Sequence, residues 1–230
     1  MAPIKIELKN KKDLKRLDEL EIEYILHPLE GFMYVPPIKL HVAEEETPLR
    51  KIWYETHEEF TKEDSRILTI PEFRIFLNYV EKENPKLYEK ITQTKDQWRV
   101  EWLDAYFKKR KDGFYVLTGN QENFERGEDG LYVIGNQANA EKLENALMEE
   151  RESGISLKSW LKNPTPQGLP KQDIKGPDSD KDKLIYYPPK DGKVAGFEVS
   201  PDGIILDCEL DPSSTDTGPV LGVRAVKQLE

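Results

Sequence analysis

Residues 3–8 (Pro-Ile-Lys-Ile-Glu-Leu) alternate apolar and polar, the period of two that predicts a strand. Leu14, Leu17 and Leu20 recur at helical spacing and predict a short helix over residues 11–20. Gly31-Phe-Met-Tyr-Val-Pro-Pro37 is a compact apolar run closed by a proline pair, which predicts a second strand. Residues 41–64 are mixed and acidic and read mostly as loop. A stronger signal starts at Thr69, where Thr69-Ile-Pro-Glu72 has capping-box spacing with proline in the first turn. Phe73, Phe76, Leu77 and Val80 then share one face of a helix near 70–83, stopped by Asn84-Pro85. Thr94-Lys-Asp-Gln97 repeats the capping pattern. Trp98, Trp102, Ala105 and Tyr106 line a second main helix expected near 95–110, with Lys108 to Lys111 at its C-terminal end and Gly113 after it.

Residues 113–118 and 131–135 predict a pair of strands joined by a polar loop. Residues 141–151, with Leu143, Ala146 and Leu147 apolar, predict a third helix, and 155–161 a short helical turn. Six prolines in residues 163–189 exclude regular helix or central strand there. Too few residues follow to build an independent core, so this stretch reads as loop wrapping one domain. Short strands are expected at 184–187, 193–199, 204–208 and 222–226. The pattern as a whole predicts an α+β fold: two main helices on short mixed and antiparallel strands, with a loop-rich C-terminal half. It forms one domain over residues 1–230, with 1–30 as an N-terminal extension.

Charge narrows the function. The formal net charge is -10, and the basic runs are short and interleaved with acids, which argues against a nucleic-acid partner. No apolar run is long enough to span a membrane, and the N-terminus has no apolar signal core, so cytoplasmic synthesis is expected. With Cys208 as its one cysteine the chain has no intrachain disulfide. His27, His41 and His57 lie in separate segments without metal-ligand spacing, so neither a metal nor a cofactor is expected. Asp178-Ser-Asp180-Lys-Asp182 opens like a calcium loop, but Lys183 and Pro189 stand where that loop needs glycine and glutamate. No nucleotide-binding or nucleophile-elbow motif is present, and no catalytic residue is assigned. The aromatic set Phe73, Phe76, Trp98 and Trp102 reads as core.

Three stretches together resemble a known family. Thr69-Ile-Pro-Glu-Phe-Arg-Ile-Phe-Leu77 resembles the first helix of C-type-lectin domains of the formylglycine-generating-enzyme type, and Glu101-Trp-Leu-Asp-Ala-Tyr106 follows at a suitable interval. Gly192-Lys-Val-Ala-Gly-Phe197, Leu206-Asp-Cys208, Asp211-Pro212 and Leu221-Gly-Val-Arg-Ala-Val226 resemble the tail of the variable proteins of archaeal and archaeal-virus diversity-generating retroelements. The resemblance implies a C-type-lectin-like fold that is not an enzyme, with a variable ligand-binding region at 192–227 rewritten by mutagenic reverse transcription. The implied partner is a protein ligand, on a host-cell surface or in a virion. Val194, Ala195, Phe197, Leu206, Cys208 and Val223 are then framework. Gly196, Glu198, Ser200, Ile204, Ile205, Asp207, Glu209, Leu210, Ser213, Ser214, Thr215, Asp216 and Thr217 form the display surface. The carboxylate–carbonyl set and disulfides of calcium-dependent lectins are missing, and so is the cysteine pair of formylglycine-generating enzymes. The alternatives are a metal-dependent oxidase or hydroxylase of the same fold family, and a structural or adhesin subunit of a virus particle.

Overall fold

The structure, a computed structural model, describes residues 31–45, 47–48, 51–93, 99–118, 124–126, 132–134, 140–213, 220–223 and 225–227. The strand expected at 3–8, the helix at 11–20, the capping sequence at 94–97 and Trp98 lie outside the described residues.

The apolar run after Gly31 forms β1 (Phe32–Val35). Pro36–Ile38 make a single 3₁₀ turn, and Lys39, with φ at 54°, reverses the chain into β2 (Leu40–Ala43). β3 (Thr47–Pro48) precedes α1 (Trp53–Lys62), in a stretch expected to be loop. The helix was hidden because Ile52 supplies no side-chain cap and glutamates crowd its outer face. Its inner stripe, Trp53, His57 and Phe60, has the spacing of a buried helical face.

β4 (Arg66–Ile67) leads into α2 (Ile70–Glu83), which starts where the capping box placed it. The Thr69 amide donates to Glu72 Oε2 at 3.0 Å, and the Glu72 amide donates to Thr69 Oγ1 at 3.4 Å. Asn84 ends α2 and, through its Oδ1, caps α3 (Pro85–Thr92), a helix the sequence reading missed.

The second main helix is instead a twelve-residue strand, β5 (Arg99–Arg110). From Val100 to Phe107 it is buried on both faces, and such a strand carries a nearly continuous apolar run. A run of that kind matches a helical stripe as readily as a strand. β5 turns at Lys111-Asp112 into β6 (Gly113–Leu117), with Arg110 opposite Gly113. This adjacent hairpin replaces the expected pairing of 113–118 with 131–135, because a two-residue closure orders far less chain. β7 (Phe124–Arg126) pairs instead with β8 (Tyr132–Ile134).

No helix forms over 141–151. β9 (Glu141–Lys142) pairs with β6, and Asn145 takes φ 59°, a left-handed backbone that interrupts a helix. The backbone there bonds to the proline-rich loop: the Leu147 amide donates to Pro170 O and the Gln172 amide to Asn145 O. β10 (Ile155–Ser156) runs into α4 (Leu157–Lys162), the expected short helical turn. β11 (Lys183–Tyr187), β12 (Val194–Ser200) and β13 (Gly203–Leu210) follow as expected, and the last expected strand divides into β14 (Val220–Val223) and β15 (Ala225–Lys227).

The architecture is mixed α+β. The main sheet runs β10-β11-β13-β12-β5-β14-β3, with β6 and β9 continuing from β5. A four-stranded sheet runs β1-β2-β15-β4. The main sheet separates two apolar clusters. One packs Phe73, Phe76 and Leu77 of α2 and Trp160 of α4 against Leu103, Phe107, Phe197, Leu206 and Cys208. The other packs Trp53, Tyr54 and Phe60 of α1 against Val100, Trp102, Tyr106 and Val194. Full burial of a Phe or Leu side chain stabilises by about 1.5–3 kcal/mol, so these clusters dominate the energetics.

Candidate ligand-facing surface

β12 lies inside the main sheet, between β5 and β13. Its first six residues are all buried. The framework assignments Val194, Ala195, Phe197, Leu206 and Cys208 agree with the structure, each being at most 1% exposed. The side chain of Val223 lies outside the described residues.

Three of the display residues are corrected. Gly196 is buried, and a Cβ there would collide with Leu210 Cδ1 and meet Val100 Cγ1 at 3.2 Å. Glu198 is 4% exposed and Ile205 is 9% exposed. The cause is position: a central strand covered on both faces gives its side chains no route to solvent. The tail reads as alternating framework and display only if one face is open, and along β12 neither is.

The rest of the set divides between places. Ser200 is half-buried at the turn into β13. Ile204 packs against the α2-side cluster and lines a depression of about 850 Å³ shared with Tyr88, Leu157 and Ile185. Burial, with Glu81 and Asp182 adding their charge, pushes the Tyr88 hydroxyl up to about 12. Leu210 leans on the α1-side cluster, after a register shift that sets Val194 opposite Leu210 but Gly196 opposite Asp207. Asp207 and Glu209 are half-buried and Ser213 is exposed. Ser214, Thr215, Asp216 and Thr217 lie outside the described residues.

What the structure does bring together is a charged band at the C-terminal end of β13. The Glu209 amide donates to Asp207 Oδ1 at 2.7 Å. Lys190 Nζ donates to Glu209 Oε2 at 2.6 Å, whereas Glu209 Oε1 is buried without a hydrogen-bond partner. Asp207 also shares a side-chain hydrogen bond with the buried Glu198. Burial pushes the Asp207 carboxyl up to about 6, and the Glu209 charge adds to the push. Asp211 behaves oppositely. It accepts from Ser213 Oγ at 2.6 Å, from the Ser213 amide at 2.9 Å and from Lys193 Nζ at 3.0 Å, which holds its carboxyl down at about 2. Two carboxylates four residues apart are thus tuned in opposite directions.

No family model, curated protein or solved structure matches the chain. Its chemistry is therefore read from its own residues.

A second polar pair in the interior is His57 and Asp104, with Nε2 and Oδ1 3.5 Å apart and both residues buried between α1 and β5. Burial drives His57 down to about 3, so the imidazole is neutral at pH 7 and the contact is not an ion pair. Trp53 stacks edge-on against His57 with ring centroids 4.2 Å apart. This arrangement packs α1 onto the sheet. Among the described residues no three His, Cys, Asp or Glu side chains converge as a metal set, and no helix is long and apolar enough to cross a membrane.

One feature escaped the sequence reading. Lys158, Lys162, Lys171 and Lys175 line a depression of about 410 Å³ beside α4. Their spacing, two lysine pairs each four apart, was the available signal.

Proposed function

We propose that the chain is a ligand-binding domain that recognises a protein partner through the C-terminal end of β13, around Asp207, Glu209 and Ser213. The observation that carries this reading is the Asp207–Glu209–Lys190 band, a set of polar groups held in place at the end of β13 beside the exposed Asp211 and Ser213. A group held that way gains a partner on binding without losing conformational freedom. Resemblance of the tail makes the domain a C-type-lectin-like variable protein of a diversity-generating retroelement. Two placements support that reading. The strand containing Leu221 and Gly222 lies parallel against β5 inside the main sheet, as a closing strand would. Asp211, Pro212 and Ser213 follow the band directly, and residues 214–217 come before that strand in the sequence. The domain is made in the cytoplasm and reaches a virion or cell surface through another protein.

A library randomised at Asp207, Glu209 and residues 213–217 tests the proposal. Most members should stay folded while selections recover new binders. A library in which most members unfold overturns it. In the source genome, a near-copy of the 3′ end of the gene differing at adenines, beside a reverse transcriptase gene, is the expected companion.

A further inference from the structure

The loop of residues 163–178 carries four of the prolines, yet it is tied down along its length. The Thr165 amide donates to Leu169 O, the Ser156 amide to Lys175 O and Trp160 Nε1 to Gly168 O, the last at 2.7 Å. The Arg151 guanidinium holds Gln172 O and Ile174 O. Ordered loops of this length are uncommon in compact domains and are usually functional. This one presents its lysines to a depression it shares with α4.

The lining carries Lys158, Lys162, Lys171 and Lys175 against two carboxylates, Asp173 and Asp178. Among the described residues none of the four ammonium groups forms an ion pair, and Lys171 Nζ is held at 2.7 Å from Asn163 Oδ1. The depression thus carries two positive charges in excess on a chain of net charge -10. Its volume of about 410 Å³ lies within the range of small-molecule sites. The nearby buried Asp182 offsets part of the Lys158 charge, but its two oxygens are taken by the Lys158 and Asp178 amides. Four lysines around one depression, none in an ion pair among the described residues, suit a group of concentrated negative charge, which each engages as a point charge.

We propose that this depression binds a phosphorylated small molecule, with its dianionic phosphate held among Lys158, Lys162, Lys171 and Lys175. It uses none of the residues assigned to the protein-binding surface, and the two sites stand or fall separately.

The test is a titration of the isotopically labelled full chain, followed through its amide resonances at low ionic strength. Inorganic phosphate and pyrophosphate are the probes, and hexaglutamate is the competing polyanion. Saturable shifts confined to residues 156–178, tighter for pyrophosphate than for phosphate, are expected. Lys158→Gln/Lys171→Gln should weaken pyrophosphate about tenfold or more, and so should Lys162→Gln/Lys175→Gln, while Lys86→Gln on the surface of α3 changes nothing. The second pair involves only exposed side chains, so it keeps the test valid if the first fails to fold. Shifts scattered over the surface, or equal affinity in the glutamine variants, overturn the proposal. Tighter binding of hexaglutamate than of pyrophosphate also overturns it, in favour of an acidic polypeptide segment.

Discussion

Truncation of Glu72 tests how the start of α2 is held. Arg66 Nη1 and Nη2 donate to Glu72 Oε2 and Oε1 at 2.7 and 2.6 Å, while the Thr69 amide and hydroxyl reach Glu72 Oε2 at 3.0 and 2.9 Å. Hydrogen bonds to charged groups contribute about 1.5–3 kcal/mol, and a helix cap about 1 kcal/mol. The side chains of Arg66 and Glu72 are 34% and 20% exposed, so water screens part of the pair. Glu72→Ala should therefore cost about 2–3 kcal/mol, and Thr69→Ala about 1 kcal/mol. At about 2–4 °C per kcal/mol for a domain of this size, Glu72→Ala lowers Tm by roughly 4–12 °C. Burial pushes the Glu72 carboxyl upward, but Arg66 and Thr69 together outweigh it and the net shift is downward. A carboxylate with a lowered folded value stabilises above its unfolded value and loses that contribution as the pH falls through the folded one. The gap between parent and Glu72→Ala in urea melts should thus be full at pH 7 and shrink below the ordinary value of 4.5. A cost under about 0.5 kcal/mol, or a gap equally wide in strong acid, refutes the reasoning.

Asp207 predicts the opposite sign. Its carboxyl is raised from 3.8 to about 6, so the folded state loses stability as the pH climbs between those values, and Asp207→Asn should be more stable than the parent at pH 7 by roughly 2 kcal/mol in denaturant melts. Gly196→Ala should destabilise by about 1–3 kcal/mol because its Cβ lands on Leu210 and Val100, whereas Gly176→Ala, with open space around it, should leave Tm unchanged. Trp102→Ala should cost about 3–5 kcal/mol, and a binding defect without a stability defect would contradict its place in the core. Cys208 is fully buried, and burial, with Asp207 and Glu209, pushes its thiol well up; a disulfide reagent should label it only at the rate of global opening, and prompt labelling of the native chain would refute that.

Sequence legibility followed how local each determinant was. The start of α2 was readable because Thr69, Pro71 and Glu72 satisfy each other within one turn. The strands β11, β12 and β13 were readable from short apolar runs between turns. β5 was not, because a strand buried on both faces loses the alternation that marks one. α1 was hidden by its acidic outer face, and the non-helical course of 141–151 depends on bonds to the loop containing Pro170. At the site, Ser213 is exposed as expected, whereas Asp207 and Glu209 are half-buried. Gly196, Glu198 and Ile205 are buried, because placement within a sheet depends on which strands pair, and composition along one strand does not encode that.

The strands β14 and β15 have a consequence for synthesis. β14 pairs with β5 and β3, and β15 pairs with β2 and β4, so residues 220–227 join both sheets. Val42 meets Val226 only after about 180 further residues are made, a wait of roughly 10–40 s at ordinary elongation rates. Throughout that interval β2 and β4 have an unfilled slot between them, and β5 lacks a neighbour on one side. A nascent chain stalled before residue 220 therefore exposes open strand edges on both sheets, the template for pairing with other chains. The two sheets can be completed only after residues 220–227 have emerged.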